Sequence, residues 1–223
     1  MRRPARTLLA GLAGACLLLI GSPVQAEVYV AGQVGGGFPQ DLRNVEGTGT
    51  IHGVKFDDLD LANTLVYGGK VGYFFDDPGW KWFGIEAEVF AGNPHVKQQQ
   101  ITAPGGGATV TALGNGAHVR TITTALNLIL RYSYKSIQPY IGVGLAYVNA
   151  KVSDEGFSVS DDSPGLNLLA GLKGFLTNNL AVFGEVKYTY TSFQFEDAGV
   201  VGSGIKGIYS APAVVAGVAW HFK

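Results

Sequence analysis

Cysteine occurs once in the 223 residues, at Cys16. It lies inside an early apolar run, Leu8 to Ile20, so the remainder has neither disulfide nor thiol chemistry. Beyond that run no apolar stretch reaches the roughly twenty residues that a spanning helix needs. Charge is scarce and balanced: 15% of residues are charged and the formal net charge is −1. Such a chain offers no electrostatic footprint for nucleic acid. Metal-loop spacing is missing as well. FDDLD (residues 56–60) and the acidic region from Asp154 to Asp162 lack the D-x-[DN]-x-[DN]-G pattern of a calcium loop, and His95 with His118 is a weak metal pair. No metal and no cofactor are expected.

What is present is a beginning with three parts. Met1-Arg2-Arg3-Pro4-Ala5-Arg6 is basic, Leu8 to Ile20 is apolar, and Val24-Gln25-Ala26 supplies small residues. That is the pattern of a secretory signal peptide, with cleavage expected between Ala26 and Glu27. A lipoprotein cut before Cys16 would leave Leu17-Leu18-Leu19-Ile20 on the mature end, so Cys16 is read as part of the discarded peptide. Residues 27–223 then form a single domain, a length that suits one. Its 33 glycines and 10 tyrosines point to tightly packed β-structure with aromatic rings at interfaces. With no helix available to cross a membrane, a membrane-bound chain of this composition must be a closed barrel.

The stretch from Thr121 to Asn149 is the most telling. In ITTALNLILRYSY, Ile122, Thr124, Leu126, Leu128, Leu130, Tyr132 and Tyr134 form one face, and Ala125, Asn127, Ile129, Arg131 and Ser133 the other. Period two of this kind is a strand with one apolar and one polar face. After Lys135-Ser136-Ile137 the alternation resumes, with Ile141, Val143, Leu145 and Tyr147 opposite Gly142, Gly144 and Ala146. Two strands of about ten residues make a hairpin long enough to cross a bilayer. Tyr132, Tyr134 and Tyr140 cluster at its turn, as an interfacial girdle would place them.

The same alternation predicts strands over Glu27–Phe38, Thr64–Phe75, Trp80 or Lys81 to Ala91, Gly165–Phe175, Leu180–Thr191 and Ile208–Lys223. Asp76-Asp77-Pro78-Gly79 and Thr177-Asn178-Asn179 are tight turns. Pro39–Asn63, Gly92–Arg120, Lys151–Pro164 and Ser192–Gly207 read as loops. Eight strands joined alternately by long and short connections are the rhythm of an outer-membrane barrel, whose long loops face outward and whose termini lie in the periplasm.

Three segments carry a family resemblance: AEVYVAGQVGGGF after the cleavage site, QPYIGVGLAYV in mid-chain and the ending VVAGVAWHF. Together they resemble the small eight-stranded outer-membrane barrel superfamily, which includes the OmpA transmembrane domain and OmpX-like proteins. The resemblance implies an all-β, eight-stranded antiparallel up-and-down barrel in the outer membrane, surrounded by lipid and lipopolysaccharide. It also implies that Trp220 and Phe222 are the signal read by the barrel-assembly machinery, after periplasmic chaperones have delivered the chain. No counterpart of the peptidoglycan-binding domain of full-length OmpA follows, so no wall-anchoring role is expected.

Assigning the second face of each strand to the lumen places Lys70, Glu86, Glu88, Arg131, Lys173, Glu185 and Lys187 inside. Charges in a narrow low-dielectric cylinder cannot stay unpaired, so an ion-pair network is expected. An eight-stranded barrel is just wide enough for side chains to fill. A plugged core is one reading; a narrow ion path gated by Arg131 swapping between Glu86 and Glu185 is the other, suggested by similar barrels. Catalysis is not expected. A deacylase would need a His and a Ser close on one strand face, and none of His52, His95, His118 and His221 has a serine two residues away in the same strand. His52 with Asp57, Asp58 and Asp60 is the one protease-like grouping, and solvated loop acids are its plainer meaning. The expected function is therefore structural and interactive, in a monomer that supports the envelope and presents Pro39–Asn63 and Gly92–Arg120 for adhesion or ligand contact. The alternative is a small, low-conductance pore.

Overall fold

The computed structural model describes residues 26–40, 43–49, 62–75, 79–94, 101–102, 109–110, 118–133, 136–154, 157–195 and 203–222. Eleven strands occur among them: β1 (Ala26–Gly37), β2 (Arg43–Gly49), β3 (Thr64–Phe75), β4 (Phe83–Gly92), β5 (Ile101–Thr102), β6 (Thr109–Val110), β7 (His118–Arg131), β8 (Ile137–Asp154), β9 (Phe157–Phe175), β10 (Leu180–Phe195) and β11 (Ser203–Phe222). Every pairing is antiparallel. The order β1-β3-β4-β7-β8-β9-β10-β11 closes on itself, because β11 also pairs with β1 from Val28↔Phe222 to Gly37↔Ala213. This is a closed, eight-stranded antiparallel barrel. β2 adds to the upper end of β11, and β5 with β6 forms a separate two-residue ladder.

The barrel is inside out relative to a soluble protein. Leu126, Leu128, Ile141, Val143, Leu145, Leu166, Leu168, Val214 and Val218 lie exposed on the outer face, Leu145 at 72%. Lys70, Glu86, Glu88, Asn127, Asn167, Glu185 and Lys187 are buried within. A continuous apolar outer wall of this size is stable only under another apolar phase. The inner face takes its large rings because small residues make room for them. A Cβ at Gly72 would stand 2.3 Å from the Tyr29 ring, and one at Gly171 2.6 Å from Tyr140.

The end that carries the first and last strand residues is closed by short connections. Between β9 and β10, Leu180 N–H and Asn179 N–H both reach Thr177 Oγ1, at 2.9 and 3.3 Å. Between β3 and β4 the strand starts at Phe83 rather than Trp80 or Lys81. Gly79–Trp82 is turn, held by the Trp82 indole donating to the Gly79 carbonyl at 2.7 Å and by Phe83 N–H to Trp80 O at 2.9 Å. Asp76-Asp77-Pro78 lies outside the described residues, as does Tyr134. β7 stops at Arg131 and β8 begins at Ile137, so the hairpin turn is a few residues longer than alternation implied.

At the opposite rim, much of what reads as loop is strand. β8 and β9 stay paired from Asn149↔Asp162 to Asp154↔Phe157, across the expected Lys151–Pro164 loop. β10 and β11 stay paired to Phe195↔Ile205, within the expected Ser192–Gly207 loop, and Arg43–Gly49 joins them. Acidic and small residues signal a loop only on average, and a ladder tolerates any side chain once it projects into water. The β9–β10 ladder does stop, at Gly165↔Thr191. The next residue, Pro164, has no N–H to donate, and Thr191 Oγ1 donates instead to its carbonyl at 2.8 Å. Above that point the rim divides into a β8–β9 blade and a β10–β11–β2 blade.

Candidate functional site: the polar core of the barrel

Period two aims one file of each strand into the lumen, and those files stack in layers. Nearest the terminal end, Glu27 of β1 and Arg131 of β7 meet, with Nη2 2.6 Å from Oε2. The Arg131 Nε donates to the Lys81 carbonyl at 3.0 Å, and its guanidinium lies 3.7 Å over the Phe74 ring. His221 of β11 is fully buried against Tyr29, ring centroids 5.0 Å apart. Its Nδ1 is 2.6 Å from Glu27 Oε1, but neither atom is aligned for a hydrogen bond. Lys173 sits with its ammonium 3.9 Å over the Tyr29 ring, a cation–π contact. Among the described residues no carboxylate is within ion-pair distance of it.

One layer in, Lys70 of β3 bridges two carboxylates, 3.3 Å from Glu86 and 2.8 Å from Glu185. Each carboxylate also accepts from a tyrosine: Tyr29 donates to Glu86, and Tyr140 donates to Glu185 at 2.8 Å. Above this, Lys187 is paired with Glu88 and lies 2.9 Å from the second oxygen of Glu185. Amides complete the cage around Glu88. Asn127 donates at 3.0 Å, Asn167 at 2.8 Å and Gln33 at 3.3 Å. Thr189 then donates to Asn167 Oδ1 at 3.2 Å.

Glu86, Lys70, Glu185, Lys187 and Glu88 thus form one alternating chain of charge, five residues joined by four ion pairs. With Glu27, Arg131 and Lys173 these inward charges balance, four of each sign. All seven lumen residues read from sequence are buried inside, but five of them form the linked network, while Arg131 pairs elsewhere and Lys173 stacks on a ring, and the pairing expected for gating does not occur. Arg131 is held by Glu27, and the cation between Glu86 and Glu185 is Lys70. Glu27 was missed because it stands beside the expected cleavage position, yet it shares parity with Tyr29 and Gln33. His221 was missed as an inward group although it falls between outward Trp220 and Phe222. Tyr140 corrects the expected girdle. It neighbours outward Ile141, so it must point inward, where it is 8% exposed and bonded to Glu185. Tyr132, at 65% exposure, does face outward. So do Trp220 and Phe222, near the terminal end of β11.

Apolar layers close the polar core at both ends. Tyr29, Phe74, Ile129, Leu169 and Phe183 pack toward the terminal side, and Ala125, Ala146, Val148, Ala150, Phe193 and Tyr209 toward the other rim. Among the described residues, two voids of about 10 and 30 Å³ leave room for only about one and about two waters. Of the histidines in question, His52 and His95 lie outside the described residues, together with Asp57, Asp58 and Asp60. Among the described residues no three His, Cys, Asp or Glu side chains converge as a metal site.

An apolar wall outside, charge-balanced polar layers within and a fully closed sheet define a membrane-embedded β-barrel. Residues 12–222 match the family model of the outer membrane protein beta-barrel domain, and the chain belongs to that family. It is an outer-membrane protein. Among solved structures it resembles the outer membrane protein OprG from Pseudomonas aeruginosa, at 15% identity and TM-score 0.61, covering 88% of this chain and 96% of that one. It also resembles a major outer membrane protein from Thermus thermophilus (15% identity, TM-score 0.51, 88% and 99%) and Neisserial surface protein A (16%, 0.50, 88% and 97%). At these identities the likeness is one of fold. No curated protein matches in sequence.

Proposed function

We propose that the protein is a structural and surface-interacting component of the outer membrane, with its termini in the periplasm and its blades and long connections outside. The observation that carries this reading is the filled lumen: alternating buried charges between two apolar layers, with voids for only a few waters. Ions would have to break several buried pairs at once to pass, at a cost of several kcal/mol each. The tall β8–β9 and β10–β11–β2 blades are the surfaces offered to a partner or host ligand, within a lipid and lipopolysaccharide surround. Trp220 and Phe222 are the assembly signal in this reading, and no catalytic role is assigned. The test is planar-bilayer conductance of the refolded, heat-modifiable barrel. A silent membrane is expected. Discrete openings that change on neutralising Glu86 or Lys70 would instead establish a small pore. Deleting residues 43–49 and 152–159 should abolish ligand or surface contact while the barrel still folds.

A further inference from the structure

Arg120 of β7 and Lys151 of β8 are direct cross-strand partners. Both are exposed, while their chain neighbours Thr121 and Ala150 are buried, so both point outward from the barrel. Like charges directly opposite one another destabilise a sheet. Among the described residues, neither cation has a carboxylate within ion-pair distance. Among the described residues on that face, the acid one rung down is Asp162, opposite Asn149. It is engaged there by the Asn149 amide at 2.5 Å and by the Tyr147 hydroxyl.

The height of the pair is what gives it meaning. Ascending the outer face of this hairpin, the rungs are Leu128/Val143, Leu126/Leu145, Thr124/Tyr147, Ile122/Asn149 and Arg120/Lys151. The file runs from aliphatic, through an exposed aromatic, to polar, to doubly cationic. A rung is about 6.8 Å along a strand, so with a tilt of roughly 40° the cations stand about 10 Å above Tyr147. Tyrosines of this kind sit at the hydrocarbon boundary, which puts the two cations, with their long flexible stems, at the level of lipid headgroups. A planar guanidinium beside an ammonium is suited to a phosphate, with two parallel bonds from Arg and one from Lys.

We infer that Arg120 and Lys151 form a binding site for the phosphate of an anionic lipid headgroup in the leaflet that meets the loop-bearing rim. The site rests on the membrane-embedded reading above. The bound phosphate neutralises a pairing the sheet would otherwise disfavour, and it pins the β7–β8 edge of the tall blade to the membrane surface.

The test is native mass spectrometry of the refolded barrel released from detergent micelles doped with phosphatidylglycerol or phosphatidylcholine. Wild type should retain one phosphatidylglycerol with about fivefold or greater preference, the equivalent of the about 1 kcal/mol that a single Lys or Arg contributes near an anionic surface. R120Q/K151Q should lose the preference while keeping its heat-modifiable gel shift, and R120K/K151R should retain it. Equal retention of the two lipids, or a preference that survives in R120Q/K151Q, overturns the site. Displacement of the bound lipid by millimolar inorganic phosphate overturns the lipid as its occupant. Failure of the wild type to insert into vesicles would overturn the membrane reading as well, whereas insertion without preference overturns the site alone.

Discussion

Lys70 on β3 and Glu185 on β10 meet across the barrel at 2.8 Å although 115 positions separate them in the chain. The pair is buried on both sides, and each partner holds a second group, Glu86 for Lys70 and Lys187 for Glu185. Removing one member leaves an uncompensated charge in a low dielectric. Lys70→Met should therefore destabilise the barrel by about 3–5 kcal/mol, and the double variant Lys70→Met/Glu185→Leu by less than the sum of the two single changes. Urea unfolding in lipid vesicles, followed by tryptophan fluorescence, reads both quantities.

Tyr140 tests the inward assignment. Its hydroxyl is a neutral donor to a charged acceptor, so Tyr140→Phe should cost about 1.5–3 kcal/mol. Tyr132→Phe, on the outer face at the same end, should change the unfolding midpoint little.

Glycine parity provides a second contrast. Gly72→Val would drive a side chain into the Tyr29 ring and should destabilise by about 1–3 kcal/mol or prevent folding. Gly32→Val points outward, where a Cβ meets nothing within 4 Å, and should be tolerated. Heat-modifiability on gels separates the two without further instrumentation.

The outer wall should reject charge. Val143 is half exposed in the middle of the apolar file, and Val143→Arg should cost about 2–4 kcal/mol in a bilayer. The same change should cost much less in detergent of loose packing, and equal costs in the two media would argue against lipid on that face.

Conductance tests whether the core is sealed. Wild type and Glu86→Gln should be equally silent in planar bilayers, because Glu86 is held by Lys70 and Tyr29 with an apolar layer on its terminal side. Openings present only in the variant would show that this layer is a gate rather than a seal.

Much of this molecule was legible from alternation alone. Period two in ITTALNLILRYSY, and its echo in the other strand segments, dictates strands, and with strands it dictates which residues share a face. Leu126, Leu128 and Leu130 against Asn127, Ile129 and Arg131 can be sorted without a structure, because a pleated strand leaves no third direction. The same parity held Glu27, Tyr140 and His221, whose inward direction was available from Tyr29, Ile141 and Trp220. They were passed over because a glutamate near the start of a strand, a turn tyrosine and a lone histidine each have a plainer meaning. The rim was less legible, since a ladder continued into water by residues such as Lys151, Asp161 and Asp162 carries no apolar period to announce it.

Partnership, by contrast, is a property of the closed barrel. That Lys70 rather than Arg131 lies between Glu86 and Glu185, and that Arg120 faces Lys151, depends on strand order, register and closure. Parity tells a side chain which way to point, but the distance between two inward charges is set by the stagger of strands far apart in sequence. Alternation along the chain suffices for a barrel with a charged interior; the closure of β11 on β1 sets which charge meets which.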